Sequence, residues 1–430
     1  MIASPAFAGK SYAVLGLARS GLATVEALLA SGATVMAWDE REEARATVAV
    51  HERVEIADPL VASLQGFAGV VVSPGVPLNR HPIAARAREA RVPVIGDIEL
   101  FAQARPSLPA HKVVGITGTN GKSTTTALVH HILKTAGVPS TMGGNIGLPI
   151  LAQDPLPRGG VYVLELSSYQ IDLTHSLDCE VAVLLNVSPD HLDRYDGLEA
   201  YKASKLRLFR LQSDRNAAVY HFDGDEAEAV QALIPHRREL WFTSDPVEHL
   251  VNQAEWPALQ GPHNALNASA AIAVCKILDV PAEAIADGLR TYPGLPHRME
   301  RVAEKNGVLF VNDSKATNPT ATAPALAAYP AVRWILGGLP KADDLEPCEP
   351  YLDHVRAAYT IGAAGPMFAQ LLRPKVPVTE CGVLDAAVSA AAGEAEVGEV
   401  VLLSPACASF DQFTDYEARG AAFRAAVEAL

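Results

Sequence analysis

The sequence predicts an α/β protein of three domains. Three observations lead there. Short apolar runs alternate with helical stretches along the whole length, the pattern of βαβ units. Those runs end in glycine and polar residues, as strands of a parallel sheet do at their ligand-bearing edge. The chain has 430 residues, more than one core usually holds.

The first block, residues 1–101, opens with an apolar strand at 12–15. A glycine turn follows, Gly16-Leu17-Ala18-Arg19-Ser20-Gly21. A helix is expected over 24–30, stopped by Gly32, and a second strand over 34–38 ends at Asp39. Strand, glycine turn, helix and strand ending in an acid make a Rossmann-like half. The glycine spacing is not GxGxxG, so a dinucleotide does not follow. Asp39 either holds a ribose hydroxyl or merely closes its strand. A further strand at 70–72 runs into Ser73-Pro74-Gly75-Val76, and another is expected at 92–95. Arg105 to Pro109 reads as a linker.

The second block, 102–296, carries the most informative stretch. Residues 115–123 read GITGTNGKS, after an apolar strand at 112–116 and before a helix from 124 to about 136. That layout aims backbone N–H groups and a helix N-terminus at phosphate. Lys122 would reach the terminal phosphates of ATP or GTP, and Ser123 would offer its hydroxyl to Mg²⁺. The spacing departs from the usual P-loop, which needs glycine where Ile116 stands; here glycines fall at 115, 118 and 121. A mostly parallel sheet is expected around this loop. Glu165 lies inside an apolar strand at 161–166, where a carboxylate is costly unless it meets a cation. It is a candidate Mg²⁺ ligand. His191, after the strand at 181–187, is a candidate second contact, although a lone histidine is more often structural. A helix at 198–209 contains Lys202 and Lys205; on spacing alone Lys205 reads as solvated. Asn264 and Asn267 share one face of a helix that begins after Gly261; they could pair an adenine edge, or Asn264 could simply cap and Asn267 be solvated.

The third block, 297–430, alternates again and reads as a second Rossmann-like domain. Strands are expected at 308–311, 334–336, 359–361 and 400–403. Each ends in polar or glycine residues: Asn312-Asp313-Ser314-Lys315, Gly337-Gly338, Gly362, and Ser404 to Phe410. A closing amphipathic helix starts near Glu417.

Composition excludes several classes. Net charge is −14 with no long basic run, so nucleic-acid binding is not expected. No apolar run is long enough to span a bilayer, and the N-terminus enters a strand pattern without a signal peptide's basic start. Five scattered cysteines without CxxC read as reduced thiols in a cytoplasmic protein. Cys407 reads as a small buried residue rather than a nucleophile. No heptad demands assembly, so a monomer is expected.

Together these segments resemble the Mur ligases over essentially the whole chain. The loop Gly118-Thr119-Asn120-Gly121-Lys122-Ser123 is shared with folylpolyglutamate synthases and fixes only the superfamily. The run Asn312 to Pro319 is more selective. Most selective is Leu403 to Phe413 with Tyr416-Glu417-Ala418-Arg419-Gly420, which looks like the D-glutamate-adding branch. There are two departures: Leu339-Pro340 stand before Lys341 where relatives often have an acid, and Tyr416 replaces Phe.

The resemblance implies a cytoplasmic ATP-dependent amide ligase of peptidoglycan precursor synthesis. Its substrates would be UDP-N-acetylmuramoyl-L-alanine and D-glutamate, with two Mg²⁺ ions. It implies that Gly118 to Thr124, Asn145, Asn264, Asn267, His297, Arg298 and Asp313 surround ATP. Ser123, Glu165, His191 and Lys205, the last as a carbamate, would hold metal; Lys122, Glu165, His191 and Lys205 would be catalytic. Leu17, Ala18, Arg19, Asp39, Arg41, Ser73, Pro74 and Gly75 would take the uridine nucleotide. Lys315, Thr317, Lys341, Ser409, Phe410 and Tyr416 would surround glutamate. Rival readings are another Mur or folylpolyglutamate-type ligase, a P-loop nucleotide switch, and a nicotinamide dehydrogenase.

Overall fold

A computed structural model describes every residue except 191–193, 221–229, 231–239, 243–252 and 342. The chain divides into two compact units: Met1–Asp245 with Ser269–Gly288, and Pro246–Ala268 with Leu289–Leu430. The α/β class and mostly parallel sheets are as expected.

Among the described residues the first unit holds two parallel sheets. One contains β1 (Ser11–Leu15), β2 (Thr34–Trp38), β3 (Val54–Ile56), β4 (Gly69–Val72) and β5 (Val94–Ile95), in the order β3-β2-β1-β4-β5. The order reverses between β1 and β4, which opens a crevice at their carboxyl ends. The helix after β1, Arg19–Ala30, begins five residues earlier than the apolar pattern suggests. Gly21 belongs to that helix. A Cβ there would lie 1.9 Å from the Gly16 carbonyl oxygen, so this glycine serves a close approach. Sequence reading did not anticipate β3 or the helix Ile83–Ala90, whose apolar runs are short.

The second sheet contains β6 (His111–Thr117), β7 (Ser140–Gly144), β8 (Gly160–Glu165), β9 (Val181–Leu184), β10 (Ala217–Tyr220) and β11 (Leu240–Phe242). Its order is β11-β10-β9-β6-β8-β7. Central strands β8 and β9 are buried at every position, as their continuous Val, Leu and Ala runs require of a sheet covered on both faces. One apolar core joins the two sheets; Phe101 meets Tyr162 edge-on at 5.0 Å. Polar staples reinforce it. The Glu99 carboxylate accepts from the backbone N–H groups of His175 and Ser176 at 2.6 and 2.9 Å, and from the Ser176 hydroxyl at 2.7 Å. Arg105, expected in a linker, begins a 3₁₀ turn and donates to both Glu180 oxygens at 2.9 Å.

In the second unit the sheet contains β12 (Glu300–Lys305), β13 (Val308–Asn312), β14 (Val332–Gly337), β15 (Val355–Ile361), β16 (Val378–Gly382) and β17 (Val400–Leu403). The order is β12-β13-β17-β14-β15-β16, with only β12 antiparallel. Alternate residues feed two cores. Trp334, Leu336 and Leu402 enter one; Ile335, Val401 and Leu403 enter the other. The Trp334 indole N–H donates to the Ser404 carbonyl at 2.7 Å, which satisfies its one buried polar group. Strands β12 and β16 escaped the sequence pattern because they are half-exposed edges rich in polar residues.

Candidate active site

In the first unit the site is built at the carboxyl ends of β6, β8 and β9. After β6 the chain turns through Gly118 (φ +152°) and Gly121 (φ +84°) into the helix Lys122–Thr135. Both glycines occupy backbone conformations that side chains resist. Gly115 does not belong to the turn. It lies in β6, where a Cβ would stand 2.8 Å from Cys179 Sγ and 3.2 Å from Leu166 Cδ1. Its job is packing, so the every-third-residue glycine spacing joins two unrelated causes.

Residues after β9 hold the loop in place. Asn186 Oδ1 accepts from Asn120 N–H at 2.9 Å, while Asn186 Nδ2 donates to the Asn120 carbonyl at 3.1 Å. Ser188 N–H donates to Thr119 Oγ1 at 3.0 Å. Sequence reading missed Asn186; its signal was its place just past an apolar strand end. Lys122 Nζ donates to the carbonyls of Gly118 and Thr119 at 2.9 and 2.7 Å. Ser123 and Thr124 occupy the first turn of the helix.

Lys205, on the helix Gly197–Arg210, is buried with 2% exposure. This overturns its reading as a solvated lysine. Its Nζ donates to the Gly118 carbonyl at 2.8 Å and lies 4.4 Å from the centre of the Tyr201 ring. Burial, and then the Lys122 charge, bring its ammonium down to about 7, against the pull of Asp190 and Asp172. Near neutrality much of this amine is uncharged.

Glu165 ends β8, directly beside Ile116 of β6. It too is 2% exposed. Its Oε1 accepts from Asn145 Nδ2 at 2.8 Å, and the Asn145 N–H donates to the Glu165 carbonyl at 2.9 Å. Its Oε2 is buried and has no hydrogen-bond donor among the described residues. A buried carboxylate oxygen beside this glycine loop, with no donor among the described residues, suits a hard cation. His191, the other candidate ligand, lies outside the described residues.

The crevice between β1 and β4 gathers the first-block residues. Leu17 N–H donates to Asp39 Oδ2 at 2.7 Å, and Arg41 grips the same carboxylate through Nε at 3.0 Å and Nη2 at 3.2 Å. The Arg41 hydrogen bond is the main reason the Asp39 carboxyl is held well below its usual range. Ser73 Oγ donates to the Gly16 carbonyl at 3.1 Å, and Pro74 lines the cleft with Gly16, Ser20 and Asp97. Arg19 reaches the Gly147 carbonyl at 3.0 Å. Arg194, which the sequence did not single out, donates to the carbonyls of Gly75 and Val76 at 3.3 and 2.9 Å. Its guanidinium rests 4.2 Å from the Tyr169 ring centre.

In the second unit Asn264 and Asn267 are buried and linked, Asn267 Nδ2 donating to Asn264 Oδ1 at 3.2 Å. Neither is solvated. Asp313, at the end of β13, is 5% exposed; its oxygens accept from Met299 N–H at 3.2 Å and Ser404 Oγ at 2.9 Å. Burial pushes its carboxyl up to about 7, with Arg298 among the groups opposing that. Around the neighbouring strand ends, Lys341 Nζ donates to Thr317 Oγ1 at 3.4 Å. Lys315 Nζ lies 3.8 Å from the Tyr416 ring centre. Ser409 is buried and Phe410 is 68% exposed. Cys407 is buried, and that burial pushes its thiol up to about 12, which removes it as a nucleophile.

Known proteins match this chain along its length. Residues 10–96 match the model of the Mur ligase MurD-like N-terminal domain, 116–245 the Mur ligase middle domain, and 297–407 the Mur ligase glutamate ligase domain. A UDP-N-acetylmuramoylalanine–D-glutamate ligase of Novosphingobium aromaticivorans is 64% identical, covering 100% of this chain and 97% of the relative. One of the same name from Sphingopyxis alaskensis is 61% identical over 100% of both. Among solved structures, the MurF ligase of Thermotoga maritima in complex with ADP aligns with a TM-score of 0.61 at 16% identity, over 98% of this chain and 96% of that one. UDP-N-acetylmuramate–alanine ligase MurC of the same organism gives 0.59, also at 16% identity, over 98% and 99%. These two likenesses concern the fold. End-to-end identity of this degree, on a glycine loop, a buried lysine and a buried glutamate arranged as described, places the chain in the Mur ligase family.

Proposed function

We propose that this protein joins D-glutamate to UDP-N-acetylmuramoyl-L-alanine at the expense of ATP, in peptidoglycan precursor synthesis. One observation carries the reading: its whole length matches relatives named for that reaction at up to 64% identity among those described. The geometry of the first unit supports it.

A carboxylate and an amine do not condense in water without activation. In the proposed reaction an alanyl carboxylate oxygen attacks the γ-phosphorus, ADP leaves, and an acyl phosphate forms. The glutamate amine then attacks the acyl carbon, loses a proton, and phosphate leaves. Both first-step reactants are anions, so positive charge must stand between them. Lys122 supplies part of it by exchanging the loop carbonyls for phosphate oxygens. The N–H groups of Gly121 to Ser123, at the start of a long helix, supply more.

Mg²⁺ fits the donor set, because a Glu165 oxygen with no donor among the described residues is buried beside the phosphate loop. Ser123, Glu165, His191 and a carbamate on Lys205 would hold it. When bound it supplies charge that offsets the repulsion between carboxylate and phosphate. The neutral Lys205 amine is suited to attack CO₂: a nitrogen–carbon bond forms as one carbon–oxygen π bond opens, one proton leaves to solvent, and a neutral amine becomes a carbamate anion. Asn145 fixes the rotamer of Glu165 through Oε1 and leaves Oε2 available.

The nucleotide of the first substrate belongs in the crevice around Asp39, Leu17 and Ser73. Glutamate belongs at the strand ends of the second unit, where Lys315 and Lys341 provide charges for its two carboxylates. Three working domains follow, 1–101 for the uridine nucleotide, 102–296 for ATP and 297–430 for glutamate. The test is mass spectrometry of the product after incubation with ATP, Mg²⁺, the sugar nucleotide and D-glutamate. The reading expects one glutamyl residue added and one ADP formed per turnover; ADP without the longer product would overturn it.

A further inference from the structure

Arg419 is fully buried, with 0% exposure, near the start of the helix Tyr416–Glu428. Among the described residues no carboxylate lies within ion-pair distance of it. A buried cation without an anion is costly, so its hydrogen bonds must be many and well placed. They are. Nε donates to Ser314 Oγ at 3.0 Å. Nη2 donates to the carbonyls of Ser314 at 2.9 Å and Cys407 at 3.0 Å. Nη1 donates to the carbonyls of Ala408 at 3.3 Å and Gly337 at 3.5 Å. The Ser314 hydroxyl in turn donates to the Tyr416 carbonyl at 2.8 Å.

Those acceptors come from three places that are neighbours in the sheet. Ser314 follows β13, Cys407 and Ala408 follow β17, and Gly337 ends β14; the order is β13-β17-β14. A planar fork with five fixed donors can tie three strand ends together, whereas an ammonium cannot. Close packing leaves no alternative filling. A Cβ on Gly338 would stand 2.3 Å from the Ala408 carbonyl oxygen and 3.1 Å from Arg419 Nη1.

Each segment so tied carries residues proposed above for glutamate. Lys315 follows Ser314, Ser409 follows Ala408, and Lys341 lies four residues past Gly337. Tyr416 stands one turn before Arg419 on its own helix. We propose that Arg419 is a positioning residue for the amino-acid substrate, holding the three strand-end loops in the register that binds it. This rests on the ligase reading given above. The inference concerns register, and the arginine itself need not touch the substrate.

The experiment compares wild type, Arg419→Lys and Ser314→Ala in steady-state kinetics with all three substrates varied. Arg419→Lys keeps the charge and loses the fork. The expected result is a KM for D-glutamate raised tenfold or more, with the KM values for ATP and the sugar nucleotide within twofold of wild type. Ser314→Ala removes one acceptor and should raise the same KM by a smaller factor. It decides the matter alone if Arg419→Lys does not fold. A D-glutamate KM unchanged in the folded variants, or a uniform loss of kcat with all KM values unchanged, would overturn the positioning role. Failure of wild type itself to turn over with D-glutamate would instead count against the ligase reading.

Discussion

Lys122 and Lys205 donate to one acceptor, the Gly118 carbonyl oxygen, at 2.9 and 2.8 Å. Two ammonium groups on one oxygen repel, and Lys205 is the buried member, so it yields its proton more readily. The glycine loop after β6 is thus coupled to the lysine proposed to carry a carbamate.

That coupling sets a pH dependence. Free lysine titrates near 10.5 and folded Lys205 near 7. Between these values the unfolded chain holds a proton that the folded chain lacks, so this group's contribution makes stability rise with pH across that window. Denaturant titrations of wild type and Lys205→Met in CO₂-free buffer should differ in slope against pH, with the variant lacking the rise. Parallel slopes would place Lys205 in water rather than in the interior.

Lys205→Ala should lose nearly all ligation, roughly a hundredfold or more if its carbamate stabilises transition-state charge. Added short carboxylic acids should restore part of the rate by standing in for the carbamate. Full activity without them would make the carbamate dispensable. Lys122→Ala should fall by a similar factor, roughly a hundredfold, while its circular dichroism stays native; retained turnover would remove the phosphate-loop assignment.

Glu165→Gln keeps the shape of the strand end and removes the carboxylate oxygen that has no donor among the described residues. The Mg²⁺ concentration for half-maximal rate should rise roughly tenfold, the scale seen when a metal site loses a supporting group. Thermal stability should not fall, because a buried charge has been removed. An unaltered Mg²⁺ titration would move the cation elsewhere.

Gly115→Ala tests the division of labour among the loop's glycines. Its Cβ would press on Cys179 and Leu166, and overpacking of this kind costs about 1–3 kcal/mol. Stability should drop by that amount in denaturant titration. A stable variant that cannot bind nucleotide would return Gly115 to the phosphate turn.

Much of this was legible in letters. Strands such as β8 and β17 are continuous apolar runs, and buried parallel strands require them. Edge strands β12 and β16 were not legible, because half-exposed polar strands look like loops. Glu165 could be flagged from the cost of a carboxylate in a strand. Lys205 was flagged only through the family resemblance: helical spacing is the same for a solvated lysine and for one whose amine meets a carbonyl 87 residues earlier in sequence. Arg419 stood in the selective run after Tyr416, but its burial and bonding could not be read there, since its five acceptors come from other segments of the chain.

Phosphate release from ATP and Mg²⁺ with UDP-N-acetylmuramoyl-L-alanine, in the presence of D-glutamate, L-glutamate or no amino acid, tests the central claim most directly. The ligase reading predicts release with D-glutamate and none in its absence. Release with L-glutamate alone would overturn the substrate assignment, and release without any amino acid would contradict the ligase.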